Sequence, residues 1–379
     1  MKQLQISEAN EYHDLSSAEM AYEYWLASLY PISCQKRRAV KKLLGSAKRF
    51  FQTDDARLRS LGLLTDAEIR CVVKSRGAFL PEAACDSIQQ SGIRFILYDS
   101  PDYPERLKNI YDPPYALFAY GRPPSDERKS IGIVGARGCS EYGRSVATKL
   151  GRTLAEHGVQ VVSGLAAGID SASQAGALQA GGDTFAVLGC GCDICYPRSA
   201  HNLYENIRGG HGGILSEYLP GTNPQPFLFP LRNRIISALS DILVVVEARE
   251  KSGSLITADL ALEQGKDVYA VPGRYLDPLS VGCNHLIEQG AGIFVDMDRF
   301  LISSGIVPQP SGKRKGAEKP ELTGESQRVY DCLELSVKHI DTITKECGLD
   351  FLTVLHALTS LKQKHLAQET FQNYFCRMI

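Results

Sequence analysis

Four short segments carry residue types suited to holding phosphate. The first is IGIVGARGCSEYG, residues 131–143, where an apolar run ends at Gly135 and a small-residue turn follows. A helix is expected to begin there near Ser140 or Glu141, and free N–H groups at a helix start attract anions. Arg137 adds a fixed charge and a planar donor fork. The dinucleotide pattern G-x-G-x-x-G is not met, because Arg137 stands where the second glycine would be. Arginine there obstructs a pyrophosphate lying close on the backbone and suits an exposed phosphodiester. The loop therefore argues against a nicotinamide cofactor.

SGLAAGIDSASQAGAL repeats the arrangement, with Ser163 at the end of a strand, Gly164 and Gly168 in the turn, and Asp170 placed to cap the next helix. A tight turn with no ligand would explain either loop alone. The third segment, FPLRNRIISALSD, sets Arg232, Asn233 and Arg234 before an apolar helix expected to start near Ile235. Two arginines flanking an asparagine suit phosphate and base together, with a plain ion pair as the competing role for one of them. The fourth, VVVEAREKSGSLITA, gives a strand, then Glu247, then the Ser252-Gly253-Ser254 turn into a helix, a further anion nest. Asp170 and Glu247 are an acid/base pair in principle, though no spacing brings them together. The patterns G-x-x-x-x-G-K-[ST], G-x-S-x-G and H-E-x-x-H are absent, so a P-loop ATPase, a serine hydrolase elbow and a zincin find no support.

The elements that must position these loops are legible from about residue 94. Apolar runs RFILYD, SIGIVGA, VQVVSGLA, DTFAVLG, ILVVVEA and KDVYAVPG alternate with helical segments. Continuous apolar strands separated by helices mean a parallel sheet covered on both faces. The fold class is α/β, a Rossmann-like, doubly wound and mostly parallel sheet over residues 94–305. Its strand-following loops should gather at the carboxyl edge, where open sheets bind ligands. Residues 1–93 read as a small N-terminal helical domain, and SLGLLTDAEI as a short helix-hairpin-helix turn. Its basic run, Lys36, Arg37, Arg38, Lys41, Lys42, Lys48 and Arg49, reads as a solvated helix face or an auxiliary DNA contact. Residues 306–322, rich in Pro, Gly, Lys and Glu, read as a flexible linker, and 323–379 as a winged-helix domain.

With 379 residues the chain has room for two or three domains. Its 44% hydrophobic content is ordinary for a soluble protein, and no run approaches the roughly 18 apolar residues of a membrane span. MKQLQISEANEYHDL lacks the apolar centre and cleavage site of a signal peptide, so a cytoplasmic location is expected. Net charge is -1, which leaves nucleic-acid binding to local patches. Eleven cysteines in a long chain without an export signal read as reduced thiols. Cys190, Cys192 and Cys195 match no standard zinc spacing, and small buried or loop roles compete with a metal.

At these motifs the chain resembles the DprA/Smf family. The matching segments run in family order over roughly residues 103–292: YPERLKNIYDPPYALFAYG, IGIVGARGCSEYG, VSGLAAGIDSASQAGAL, AVLGCGCDICYP, ILSEYLPGTNPQPFLFPLRNRIISALSD, VVVEAREKSGSLITADLALEQGKDVYAVPG and GCNHLIEQGA. The resemblance implies a protein without enzymatic turnover that binds and protects single-stranded DNA and helps load a RecA-type recombinase during natural transformation and DNA recombination. It implies a homodimer through the Rossmann-like domain, no membrane and no cofactor. The phosphate-binding arginine it implies is Arg137, with Ser163, Gly164, Arg232, Asn233, Ser252, Gly253 and Ser254 on the same edge. The chain departs from the family where Gln174 replaces a histidine and where Ser199 and Ala200 replace a Glu-Asn pair; both places are expected near the pocket. Two other readings stand beside it. One is a nucleotide-processing hydrolase of the lysine-decarboxylase-like (LOG) class using Arg232, Asn233 and Glu247, though its P-G-G-x-G-T-x-x-E segment is missing. The other is a duplex-reading regulator, for which six basic against seven acidic residues from Glu325 onward is a thin groove reader.

Overall fold

The computed structural model describes residues 16–29, 31–81, 92–306, 322, 324–334, 337–364 and 366–377. Residues 307–321 of the expected linker and the first fifteen residues lie outside them, while Ile306 is buried in the sheet core.

Among the described residues the N-terminal region forms five helices: α1 (Ser17–Ser28), α2 (Cys34–Leu44), α3 (Ala47–Gln52), α4 (Asp55–Ser60) and α5 (Asp66–Ala78). Each starts where the sequence supplies an N-cap, and Ser16 with Glu19 and Thr65 with Glu68 form reciprocal capping boxes. Their apolar faces do not close on themselves. Trp25, Leu26 and Phe50 belong to one core with Phe118, Leu188 and Ile214 of the sheet. Tyr115 fixes the junction by donating its hydroxyl to the buried Glu23 carboxylate at 2.5 Å, and Lys41 pairs with the same group at 2.7 Å.

Among the described residues the sheet has nine strands. β1 (Arg94–Leu97) is followed by the short α6 (Glu105–Lys108) and β2 (Ala116–Gly121). Strand–helix units then run β3 (Ser130–Val134), α7 (Glu141–Glu156), β4 (Gln160–Ser163), α8 (Ile169–Gln179), β5 (Thr184–Val187), α9 (His201–Arg208) and β6 (Gly212–Ser216). The second half is α10 (Leu228–Ala238), β7 (Ile242–Val245), α11 (Gly253–Glu263), β8 (Asp267–Ala270), α12 (Val281–Glu288), β9 (Gly292–Ile293) and α13 (Met297–Ser303). The order is β1-β2-β6-β5-β4-β3-β7-β8-β9, parallel from β6 to β9 and antiparallel at β1, β2 and the β2–β6 junction. β3 and β6 are buried along their whole length, as expected for strands covered on both faces. Successive strands from β3 to β6 step one way, and β7 returns to the other side of β3. The order therefore reverses between β3 and β7, and the crevice of an open α/β sheet lies at that reversal.

The last segment comprises α14 (Glu325–Cys332), β10 (Lys338–His339), α15 (Ile340–Cys347), α16 (Phe351–Gln363), β11 (Ala367–Phe371) and β12 (Tyr374–Arg377). Its small sheet has the order β10-β12-β11 around a separate core with Val329, Ile343, Val354 and Leu358. Its elements run helix, strand, two helices and two strands.

One sequence expectation needs correction. The helix expected near Ile235 begins at Leu228, so Arg232, Asn233 and Arg234 lie within α10. Pro230 is no obstacle, because first-turn N–H groups have no intrahelical partner. Residues two apart on a helix point about 200° apart, so the two arginines diverge.

Because the helices and the sheet share a core, Phe118→Ala should lower the stability of both together, by about 3–5 kcal/mol. Calorimetry should show the helices and the sheet in one transition that shifts as a unit, apart from any transition of the separate C-terminal core. Separate transitions for the helices and the sheet, with only one of them moved, would disprove the shared core.

Candidate nucleic-acid interface

The loops after β3 and β7 face each other at the strand reversal, and the chain's own carboxylate occupies the space a dinucleotide phosphate would use. Glu247, at the end of β7, is 4% exposed. Its oxygens accept the N–H of Ser140 at 2.9 Å and the Ser140 hydroxyl at 2.5 Å. The Ser140 hydroxyl in turn caps the N–H of Gly143 at 3.0 Å. Gly143 must be glycine because a Cβ there would overlap the Glu247 carboxylate. A carboxylate at a helix N-terminus neutralises the positive end of the dipole, so the start of α7 is closed to a second anion. Ser140 is engaged inside the fold.

The loop after β4 is built the same way. Gly168 adopts φ +83, and a Cβ on it would strike the carbonyl oxygen of Ala136, which brings the β3 and β4 loops into contact. Asp170 accepts the N–H of Gly164 at 3.1 Å, and Ser163 donates its hydroxyl to the Ile133 carbonyl at 2.6 Å. Arg232 lies opposite Asp170 and is 4% exposed. It donates to the carbonyls of Gly164, at 3.0 Å, and Val187, which ties the ends of β4 and β5 together. Burial raises the Asp170 carboxyl to about 6, with the Arg232 charge opposing that rise. Burial also lowers the Arg232 guanidinium to about 10. Arg234 points away and grips Glu217 with two bonds of 2.6 Å and the Asp112 carbonyl at 2.9 Å. Of Arg232, Asn233 and Arg234, only Asn233 therefore turns its polar group to the open surface, its amide reaching the Gly253 carbonyl at 3.3 Å.

What remains open is a cleft of about 410 Å³ between the β3 loop, α10 and the start of α11. Arg137, Arg249 and Lys251, all exposed, supply its positive charge. Gly253 and Gly138 line it with nothing within 4 Å of where a Cβ would stand. Ser252 caps α11 by accepting the Ser254 N–H at 3.4 Å, and the two hydroxyls lie 2.7 Å apart. This helix start, unlike that of α7, faces the cleft. Arg137 lies over the Phe229 ring, 5.5 Å from its centroid, and Phe229 packs against the partly exposed Tyr196 with centroids 5.4 Å apart. Cations beside accessible aromatic rings suit a phosphate chain whose bases stack.

Of the residues named from sequence, Arg137, Asn233, Ser252, Gly253 and Ser254 come together around this cleft. Gly135 lines the cleft with its backbone, Ser140, Ser163, Gly164, Gly168 and Arg234 face inward or elsewhere, and Arg232 borders the cleft with its donors turned inside. Arg249, Lys251 and Phe229 were missed. The first two sit in AREKSGS, where Glu250 masks their charge in a linear reading. Their place between a strand end and a helix cap was the available signal.

The family profile described as DNA recombination-mediator protein A matches residues 94–304. The chain belongs to that family. DNA processing protein DprA of Bacillus subtilis is 46% identical to it over 204 residues, covering 54% of this chain and 68% of the relative. The X-ray structure of DNA processing protein A from Streptococcus pneumoniae superposes with a TM-score of 0.64 at 32% identity, over 76% of this chain and 98% of that one. A Helicobacter pylori structure, whose description concerns the single-stranded DNA binding mode of DNA processing protein A, matches with a TM-score of 0.50 at 30% identity, over 56% of this chain and 97% of that one.

Within this family frame, the Gln174 departure lies in the core and not at the cleft. Gln174 accepts the N–H of Leu165 at 3.2 Å and donates to the Thr184 hydroxyl at 3.2 Å. Leu165 has φ +56, a costly conformation for a branched side chain, and this bond helps hold it. Ser199 and Ala200 line a separate groove beside α9. The N-terminal basic run is largely engaged: Lys36 pairs with Glu68 at 2.8 Å, Arg38 with Asp99 at 3.0 Å, and Arg37 donates inward to Leu26 and Ala27. Among the described residues no His, Cys, Asp and Glu cluster is arranged for a metal, and burial pushes the Cys190 thiol up to about 11.

Gln174→Ala should cost about 1–3 kcal/mol by stranding buried polar groups, with the loss read in denaturant melts. Asp170 gives a pH test. Its folded value of about 6 lies above the ordinary 3.8, so its contribution is full below about 4 and is lost as pH rises through about 6. The stability of the wild type relative to Asp170→Asn should fall across that window and stay flat above it. A difference unchanged from pH 4 to 7 would contradict the raised value.

Proposed function

We propose that this protein binds single-stranded DNA in the cleft lined by Arg137, Arg249 and Lys251, holding phosphates at the open start of α11 and stacking a base near Phe229. The observation that carries the reading is the distribution of anion sites. The α7 N-terminus is filled by Glu247, and the cationic, aromatic-flanked opening lies at α11. Such a surface suits a flexible phosphodiester better than a compact dinucleotide. The family and the Helicobacter pylori relative's description support the same choice of ligand. On this reading Arg137, Asn233, Ser252, Gly253 and Ser254 form the contact surface. The remaining residues named from sequence shape the loops that present it.

The same reading has the protein protect the strand and help pass it to a RecA-type recombinase, working as a homodimer through the sheet domain in the cytoplasm. Residues 1–93, 94–305 and 323–379 then act as helical, DNA-binding and winged-helix regions joined by a linker at 306–322. No helix among the described residues is long and apolar enough to cross a membrane. The hydrolase alternative is weakened by the engagement of Glu247 with Ser140 and of Arg232 with two carbonyls, which leaves neither poised for chemistry.

Gel shifts at several salt concentrations test the proposal. Arg137→Ala should weaken single-strand binding at every sequence and reduce the salt slope by about one phosphate contact. Preference for duplex, or an unchanged affinity at moderate salt, would overturn it.

A further inference from the structure

Arg137 borders two spaces. One is the cleft described above. The other is a groove of about 900 Å³ running along α7, α8 and α9, which shares Arg137 with the cleft. Its polar lining includes Arg144, Thr148, Ser171, Gln179, Asn202 and Asn206, and none of its described lining residues is an aspartate or glutamate. In a chain of net charge -1 with 43 acidic residues, a groove this large without a carboxylate in its lining is a local departure. Arg144 is half exposed, and its nearest acid, Glu141, lies 3.7 Å away. Exposed pairs of that kind hold weakly, so Arg144 is available to a phosphate. Gln179 is oriented by a hydrogen bond of 2.9 Å from Arg152, a second cation nearby.

We propose that this groove continues the DNA track: a single strand seated in the cleft crosses Arg137, and its next nucleotides lie along α7, α8 and α9. The inference rests on the reading of the cleft. Arg144 and the hydroxyls of Thr148 and Ser171 meet the phosphates and sugars. The side-chain amides of Asn202 and Asn206 carry both donors and acceptors and so meet base edges of any identity, as a sequence-tolerant track requires. Sharing Arg137 makes the two spaces one path, and that continuity favours a polymer over a separate small ligand or peptide. It also gives Ser199 and Ala200 a place, at the groove and away from the cleft.

The test is a length series. Affinities for oligothymidylates from about 4 to about 16 nucleotides, the usual range of site sizes, are measured with wild type, Arg137→Ala, Asn202→Asp/Asn206→Asp and Asn206→Lys. Asn202 and Asn206 are exposed, and thermal melts check that the variants fold. The double variant should follow wild type at the shortest lengths, then fail to gain affinity with length, ending at least about threefold weaker with a shallower salt slope. Asn206→Lys should tighten only the longer oligonucleotides. A double-variant curve superimposed on wild type overturns the groove, as does uniform weakening at every length, which would mark a diffuse charge effect. If Arg137→Ala changes no length at all, the cleft reading itself fails, and that outcome is distinct from the other two.

Discussion

At the strand reversal between β3 and β7, the Glu247 carboxylate takes both the N–H and the hydroxyl of Ser140, and the shape of the binding surface follows from that contact. In a sheet of this topology the first helix after the reversal is the natural anion site, because its free N–H groups and dipole converge there. Here an internal anion fills it. The bond holds the β3 loop against the β7 strand, keeps Gly143 as glycine, and leaves Arg137 on the outside of the turn. The exposed positive charge lies outward at Arg137, Arg249 and Lys251, beside the start of α11. The strand proposed to bind there would lie along the surface, which suits a polymer with no end to bury.

A second internal bridge supports the first. Asp170 and Arg232 face each other beneath the β4 loop, and Arg232 binds the carbonyls that end β4 and β5. Breaking one partner of such a buried charged arrangement leaves the other uncompensated, so both loops depend on it. Gln174 holds the left-handed Leu165 of the same loop from within the core. Three polar side chains thereby fix backbone that no regular ladder would hold, while the ligand-facing positions stay open. Rigid loops cost a flexible strand less ordering on binding.

The N-terminal helices bear on the site indirectly. Their core is continuous with the sheet through Trp25 and Phe118, and Lys36, Arg38 and Lys41 pair with Glu68, Asp99 and Glu23. The linear cluster of lysines and arginines therefore stiffens a junction. Positive charge that is scattered in the sequence, at 137, 249 and 251, is what gathers on the open edge.

Much was legible in the residues themselves. Continuous apolar strands required a sheet buried on both faces, the strand-following loops had to share its carboxyl edge, and Arg137 in place of a glycine turned the first loop away from a dinucleotide. Those inferences rest on local pattern and spacing, which the sequence carries in full. The direction each polar side chain takes is different in kind. Arg232 and Arg234 read as a pair, but the helix that contains them sets them about 200° apart, one beneath the β4 loop and one against Glu217. Ser140 and Glu247 are 107 residues apart in the chain, and only the return of β7 beside β3 makes them partners. Hydrogen bonds and charges act over a few ångströms, so which groups they engage is settled by packing between distant segments. For that reason the tertiary structure alone separated residues that build the cleft from residues that line its open side.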